Sequence, residues 1–346
     1  MADFDRYSRQ LLFAPLGEAG QKRLAAARVA VIGCGALGTM QADLLARAGV
    51  GHLLLVDRDY VEASNLQRQT LFDEQDARTA LPKAIAAQAR LQRVNSSVEI
   101  EAAVCDLEPA NIGVLLASSQ VLLDGTDNLE TRYLLNDYAL WRGVPWIYGA
   151  AVGARGMTFT VVPGQTACLA CIFPDAGAGA APVAPIQTCD TAGVLGWTVS
   201  WVASLQVAEC VKLLSGCTAA LRGTLETADL WTNQYSRLAA PARDPQCRAC
   251  ARRDFLHLRG ERRAAVTLCG RNAVQIHEHR QRLELGELAH RLQPHGSVHS
   301  NDFALRFVPA TPAGVALTIF PDGRALIQGT TEVALARSLY ARFVGA

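Results

Sequence analysis

The sequence predicts an α/β protein: a doubly wound, mainly parallel sheet with a small α+β unit appended at the C-terminal end. Three observations predict it. Short apolar runs alternate with helical stretches through most of the chain, the order that puts helices on both faces of a parallel sheet. The turn Gly33-Cys34-Gly35-Ala36-Leu37-Gly38 follows the first apolar run and leads into a helix, the context of a Rossmann-like β-turn-α-β unit. Beyond Arg262 the character changes to short strands joined by tight turns and one closing helix.

The elements follow in order. Residues 4–27 read as a helical arm, because Phe4, Tyr7, Leu11 and Leu12 recur at helical spacing and Leu16-Gly17 divides the arm in two. Residues 28–33 are an apolar strand, 39–48 the next helix, stopped at Gly49, and 51–57 the second strand. A helix is expected at 83–92, a strand at 98–103, and a buried strand at 121–124 that ends in Asp124-Gly125-Thr126-Asp127-Asn128. Residues 131–142 read as helix, 146–152 and 157–162 as strands. The segment 174–186 is rich in Gly, Ala and Pro and reads as a mobile loop over something functional. Residues 194–214 approach the length of a membrane span, roughly 20 residues. Gln206, Glu209 and Lys212 share one face of that stretch, so it reads as a buried or interface helix. In the appendix, 304–308, 315–320 and 325–327 are strands, with a turn at Pro321-Asp322-Gly323-Arg324 and a helix over 331–343. The expected domains are 1–262 and 263–346, without internal repeats.

Composition excludes several classes. The 346 residues carry 33 basic and 32 acidic side chains, a net charge of +1, so nothing favours nonspecific nucleic-acid or membrane binding. The polar, charged start does not resemble a secretion signal, and a cytoplasmic protein is expected. Ten cysteines in such a chain argue for metal or redox chemistry over a disulfide framework.

Gly33, Gly35 and Gly38 let a backbone approach phosphate, and Asp57, nineteen residues after Gly38, is spaced to accept from ribose hydroxyls. A nicotinamide-dependent dehydrogenase satisfies all of this. It has no use for the polar stretch Asn65-Leu66-Gln67-Arg68-Gln69 that follows. Arg68 suits a bidentate clamp on phosphate, with Asn65, Gln67 and Gln69 around it. Lys83 opens the next helix as a point charge. Asp127, beside Asn128 at a strand's carboxyl end, suits Mg²⁺ held against phosphates. Arg9 lies in the N-terminal arm and would reach an active site from outside it. No Gly-Lys-Ser/Thr element is present, which disfavours P-loop chemistry.

Two C-x-x-C pairs, Cys168/Cys171 and Cys247/Cys250, offer four thiolates for a closed structural Zn²⁺ site. Cys189 stands apart, before Asp190-Thr191-Ala192-Gly193, where a helix start would lower a thiol's pKa. Cys34 needs only to be small.

RYSRQ, GCGALG, VDRDYVEASNLQRQ, PKA, DGTDN, CLACIFP, TCDTAGVLG and CRAC occur in that order over about residues 4–255. On these motifs the chain resembles the ThiF/MoeB/HesA family, bacterial relatives of ubiquitin-activating enzymes. The resemblance implies ATP-dependent adenylation of the C-terminal Gly-Gly carboxylate of a small ubiquitin-fold sulfur-carrier protein, in a thiamine, molybdopterin or related pathway. It implies a homodimer in which Arg9 crosses to the partner's site, a structural zinc on the four paired cysteines, and Cys189 as a thiol that receives the activated carrier or sulfur. The appendix does not resemble the sulfurtransferase domain that some relatives carry, so a separate sulfur donor is expected, and Cys269 and the appendix histidines form no metal-like pattern. Two other classes remain at this level: an NAD(P)-dependent oxidoreductase, and a catalytically inactive zinc-containing dimeric scaffold. The motifs speak to chemistry on ATP and leave the carrier open.

Overall fold

The computed structural model describes residues 5–174, 192–239, 242–261, 267–268, 273–277 and 283–345. The chain divides into two compact units, Met1–Arg262 and Arg263–Ala346.

The first unit is built on eight strands: β1 (Arg28–Ile32), β2 (His52–Val56), β3 (Glu99–Ala103), β4 (Val121–Asp124), β5 (Trp146–Val152), β6 (Arg155–Val161), β7 (Thr224–Asp229) and β8 (Gln234–Ala239). They lie in the order β3-β2-β1-β4-β5-β6-β7-β8. The first five run parallel, and β6, β7 and β8 continue the sheet antiparallel. All of β2 and β4 is buried. Strands covered on both faces favour apolar residues throughout, which is why they read as Leu and Val runs, broken only by His52 at the start of β2 and Asp124 at the end of β4. β1 shows both faces at once. Val29 and Val31 pack with Leu45 and Leu91, while Ala30 and Ile32 pack with Leu135 and Trp146.

Helices α1 (Ser8–Leu11) and α2 (Gly17–Ala25) form the arm. They are followed by α3 (Ala36–Ala48), α4 (Glu74–Arg78), α5 (Lys83–Val94), α6 (Ile112–Leu115), α7 (Leu129–Arg142), α8 (Leu169–Ile172) and α9 (Gly196–Ser215). Helix α3 starts three residues before the expected Thr39, because Gly35 serves as its N-cap and the helix grows directly from the glycine turn. Helix α7 starts at Leu129 because the Asn128 side chain accepts from Thr131 N. In α9, Gln206 and Glu209 are fully buried. Gln206 donates to the carbonyls of Asp124 and Ile147, and Glu209 is held by Lys212 and Arg222. No helix among the described residues is long and apolar enough to cross a membrane. The expected loop at 174–186 falls, from residue 175 on, outside the described residues.

Because β4 lies on the opposite side of β1 from β2, the strand order reverses between β1 and β4. A crevice opens there at the carboxyl ends, the usual ligand position in such sheets.

The second unit is a six-stranded antiparallel sheet in the order β11-β12-β13-β14-β10-β9, made of β9 (Thr267–Leu268), β10 (Ala273–His277), β11 (Gly296–Ser300), β12 (Leu305–Pro309), β13 (Ala316–Ile319) and β14 (Arg324–Gln328). Its own core joins Phe307, Leu317 and Ile327 to Leu288 of α10 (Leu285–Leu292) and to Tyr340 and Phe343 of α11 (Val333–Phe343). Cys269 and His279 lie outside the described residues.

The glycine turn carries the tightest packing. A Cβ at Gly38 would overlap the Gly33 carbonyl oxygen, whereas a Cβ at Gly113 meets nothing within 4 Å. Gly38→Ala should therefore cost about 3 kcal/mol by overpacking, and Gly113→Ala close to nothing. Urea-denaturation midpoints of the two variants test this, and equal midpoints would contradict the assignment.

Candidate active site

Three backbone segments line the crevice. Gly33, at φ +88°, turns β1 into the loop, and a Cβ there would stand 2.7 Å from the Gly125 carbonyl oxygen. Gly35 is different: nothing approaches its Cβ position closer than 3.9 Å, so the space over the turn is open. Open space beside the backbone at the start of a 13-residue helix suits phosphate.

Asp57 ends the strand next to this turn. Its Oδ2 accepts from Cys34 N at 2.5 Å and its Oδ1 from Asp59 N at 2.6 Å. Burial raises the Asp57 pKa, with the Lys83 charge acting against the rise. Lys83 is itself only 3% exposed. Its backbone N–H donates to the Asp59 carbonyl at 2.8 Å, and its ammonium lies 3.3 Å from Asp59 Oδ2. Loop 57–59 and the start of α5 thus clasp each other, and a buried cation sits beside the turn.

The polar stretch after β2 divides its work. Asn65 closes a short 3₁₀ turn (Ala63–Asn65), its Oδ1 accepting from Glu62 N, so its side chain shapes the loop. Gln67 is exposed, and half-buried Arg68 donates from Nη1 to the Ser64 carbonyl at 2.8 Å. Gln69 is 4% exposed and its Oε1 has no hydrogen-bond partner among the described residues. Its Nε2 lies 4.0 Å from the Cβ position of Gly35. An orphaned buried amide costs free energy unless something meets it, and this one borders the open side of the turn. The start of α9 closes the far side, Gly196 resting against Gln67 and Arg68.

Past β4, Asp127 is exposed at the rim and Asn128 caps α7. Two residues that the sequence reading does not single out belong here. Arg58 donates to Asp106 Oδ2 at 2.9 Å, and Arg132 pairs with the fully buried Asp124 at 3.0 Å. Burial disfavours charge on both arginines, yet the pKa of each is raised, by Asp106, Asp59 and Asp127 together at Arg58 and by Asp124, Tyr148 and Asp127 together at Arg132. The field of Asp127 therefore reaches both sides of the crevice. The signal available for Arg132 was its place one turn into the helix that follows the strand-end acids.

Gly33, Gly35, Gly38, Asp57, Gln69, Lys83 and Asp127 are thus linked around one crevice, with Arg68 on its α9 side. Arg9 is not among them. Tyr7 Oη accepts from Asn95 Nδ2 at 2.8 Å and Gln10 donates to the Ala48 carbonyl at 3.0 Å, which ties the arm to the C-terminal end of α3. The glycine turn is at the other end of that helix, about 20 Å away at 1.5 Å per residue. Arg9 is exposed there and makes no hydrogen bond or ion pair to a described residue. Cys189 lies outside the described residues.

The two C-x-x-C pairs meet. Cys168 Sγ lies 3.7 Å from Cys171 Sγ and 3.6 Å from Cys247 Sγ, and Cys171 Sγ lies 3.4 Å from Cys250 Sγ. All four sulfurs fall within 4.8 Å of one another. A tetrahedron with Zn–S bonds of ~2.3 Å has S–S edges of ~3.8 Å, so the set fits a closed zinc site. Burial and the neighbouring thiols push Cys250 up to about 11, and a cation held among the sulfurs would favour their thiolate forms. Helix α7 holds both knuckles. Asn136 Oδ1 accepts from Leu169 N, Tyr133 Oη donates to the Phe173 carbonyl, and Asp137 accepts from Arg248 and from His257 N.

The ThiF family pattern matches residues 7–249. The chain is similar to the sulfur carrier protein ThiS adenylyltransferase of Bacillus subtilis (strain 168), 44% identical over 346 residues that cover 98% of this chain and 99% of that protein. It is also similar to the sulfur carrier protein adenylyltransferase of Thermus thermophilus, 36% identical over 253 residues, 72% of this chain and 91% of that one. Among solved structures, E. coli MccB with ATP superposes with a TM-score of 0.61 at 20% identity, over 72% of this chain and 75% of that one. The last likeness is one of fold.

Metal analysis of the purified chain should find one zinc per chain. Cys171→Ser and Cys250→Ser should each lose it and melt about 10 °C lower. Well under one zinc in the unaltered protein would remove the site.

Proposed function

The chain belongs to the ThiF family and is an adenylyltransferase, and from that premise we propose that it uses ATP to adenylate the C-terminal Gly-Gly carboxylate of a small ubiquitin-fold sulfur-carrier protein in the cytoplasm. The observation that carries the choice of substrate is the 44% identity, over the whole chain, to an enzyme named for the carrier ThiS. That match runs through the C-terminal unit, whereas the Thermus match covers 72% of the chain. We therefore favour a ThiS-type carrier of thiamine biosynthesis over a carrier of molybdenum cofactor biosynthesis.

In this reading the turn at Gly33, Gly35 and Gly38 cradles the phosphates, and Asp57 meets the ribose. Asn65, Gln67 and Asn128 shape the rim of the nucleotide site. Gln69, whose Oε1 has no partner among the described residues, meets the nucleotide beside Gly35. A carboxylate oxygen of the carrier attacks the α-phosphorus, a new P–O bond forms, and the bond to pyrophosphate breaks with its electron pair leaving on pyrophosphate. Charge grows on the phosphate oxygens in this step. The buried Lys83 and the Arg68 guanidinium offset it from fixed positions, which is where electrostatic catalysis gains most. Mg²⁺, when bound, would neutralise phosphate charge, and Asp127 is the carboxylate that would hold it; one carboxylate plus phosphates is a common Mg²⁺ environment. The zinc is structural, since four sulfurs leave no open position.

Arg9 acts across a homodimer. The support is geometric: within one chain the arm is tied to the far end of α3 from the glycine turn. The Cys189 thiolate receives the activated carrier in a later step, attacking the acyl carbon to form a thioester as the bond to AMP breaks and AMP leaves with its electron pair, and the sulfur comes from a separate donor protein.

ATP–pyrophosphate exchange should appear only with a Gly-Gly-terminated carrier and should fall at least 100-fold in Arg68→Ala and Asp127→Ala. Tight NAD(P) binding without exchange would instead favour an oxidoreductase. Mixing the inactive Arg9→Ala and Asp127→Ala proteins should restore up to a quarter of dimer sites, as a matter of random subunit pairing; no recovery would show that Arg9 does not act in trans. Cys189→Ala should keep exchange and lose any covalent carrier adduct on a non-reducing gel. An undiminished adduct would make that thiol incidental.

A further inference from the structure

The end of β4 holds an ion pair that the reaction above does not use directly. Asp124 is fully buried. Its Oδ1 accepts from Thr126 N at 2.9 Å and Thr126 Oγ1 at 2.7 Å, and its Oδ2 from Arg132 Nε at 3.0 Å. From the same guanidinium, Nη2 donates to the Thr126 carbonyl at 2.7 Å and to the Gly149 carbonyl at 2.8 Å. The guanidinium carbon stands 5.0 Å from the centre of the Tyr148 ring. Behind the pair, Gln41 and Gln206 both donate to the Asp124 carbonyl, at 2.9 and 3.0 Å. One arginine thus joins α7, the end of β4, the neighbouring strand β5 and the peptide that leads into Asp127.

Stability alone does not account for this arrangement. A buried ion pair often contributes no more than apolar side chains of the same volume, because desolvation offsets the attraction. What it supplies is a defined geometry. A planar guanidinium serves three acceptors from a fixed fork, which the ammonium of a lysine does not. The acceptor that matters is the Thr126 carbonyl, which belongs to the peptide bond whose nitrogen is that of Asp127.

We propose that Asp124 and Arg132 are a positioning pair that fixes the Thr126–Asp127 peptide, and with it the carboxylate presented to the ATP-bound divalent cation. The inference rests on the reading of Asp127 given above. Neither residue touches nucleotide or cation; both act through the loop.

The experiment follows Mn²⁺ binding in the presence of a non-hydrolysable ATP analogue, by the electron paramagnetic resonance of free Mn²⁺, beside thermal melting and the Mg²⁺ dependence of exchange. Groups that orient a metal's carboxylate typically affect affinity 10- to 100-fold. Arg132→Lys should therefore raise the Mn²⁺ dissociation constant and the Mg²⁺ KM by roughly 10-fold or more, with binding of the analogue in EDTA changed less than about 2-fold. Should Arg132→Lys fail to fold, Asp124→Asn combined with Arg132→Gln removes both charges together and should show the same cation defect. A folded variant with unchanged Mn²⁺ binding would overturn the proposal. If Asp127→Ala also leaves Mn²⁺ binding unchanged, the reading of Asp127 fails and the proposal falls with it.

Discussion

The first unit is organised by one backbone contact, between the loop after β1 and the loop after β4. Gly33 and Gly125 meet there so closely that neither admits a Cβ, and Gly38 is pressed into the same junction. The contact is possible because β4 lies beside β1 on the side opposite β2. It decides where the crevice opens, which amides face it, and how near the Asp127 loop comes to the glycine turn. Apolar burial supplies the bulk of the stabilisation in this unit. The junction determines what that stabilisation is used to hold.

Helix α7 carries the junction's influence outward. Its first turn is capped by Asn128 and anchored by Arg132 at the crevice, while Tyr133, Asn136 and Asp137 reach the two cysteine knuckles. The two knuckles are about 75 positions apart, with α9, β7 and β8 between them. A metal held by the four sulfurs would crosslink the ends of that stretch and so remove much of its freedom. The crosslink would lie against the same helix that borders the Asp127 loop.

Much of this was legible in the sequence, for identifiable reasons. Strands buried on both faces announce themselves as unbroken apolar runs, so β1, β2 and β4 were clear. The paired C-x-x-C spacing pointed to one metal site even though geometry alone brings the pairs together. The last two strands of the sheet, β7 and the edge strand β8, were not legible. Their stability comes partly from cross-strand partners such as Glu226 and Arg237, and all of β8 is exposed, so no hydrophobic period marks it. Helix α10 was missed because Leu285, Leu288 and Leu292 occupy only one narrow face of a short segment. The local tasks of Asn65 and Asn128 were not legible: each Oδ1 accepts from a nearby backbone N–H, one closing a 3₁₀ turn and the other capping a helix. Arg132 escaped because an arginine in an amphipathic helix is ordinarily solvated. Its burial is decided by Asp124 and Thr126 at the end of β4 and by Gly149 in β5, two other places in the chain.

The position of the arm bears most directly on assembly. Tyr7 fills the space beside Gly49, and its hydroxyl is held by Asn95, which also donates to the Ala46 carbonyl. Gln10 and Gln21 both donate to the Ala48 carbonyl. These bonds satisfy the end of α3, where carbonyls lack helical partners. The same bonds hold α1 at the end of α3 that points away from the crevice. A flexible arginine side chain spans about 7 Å, well short of the ~20 Å length of that helix. To bring Arg9 onto its own glycine turn the arm would have to release Tyr7 and expose the end of α3, losing a buried aromatic worth about 3 kcal/mol or more. The packing that stabilises the arm therefore holds Arg9 away from the glycine turn of its own chain.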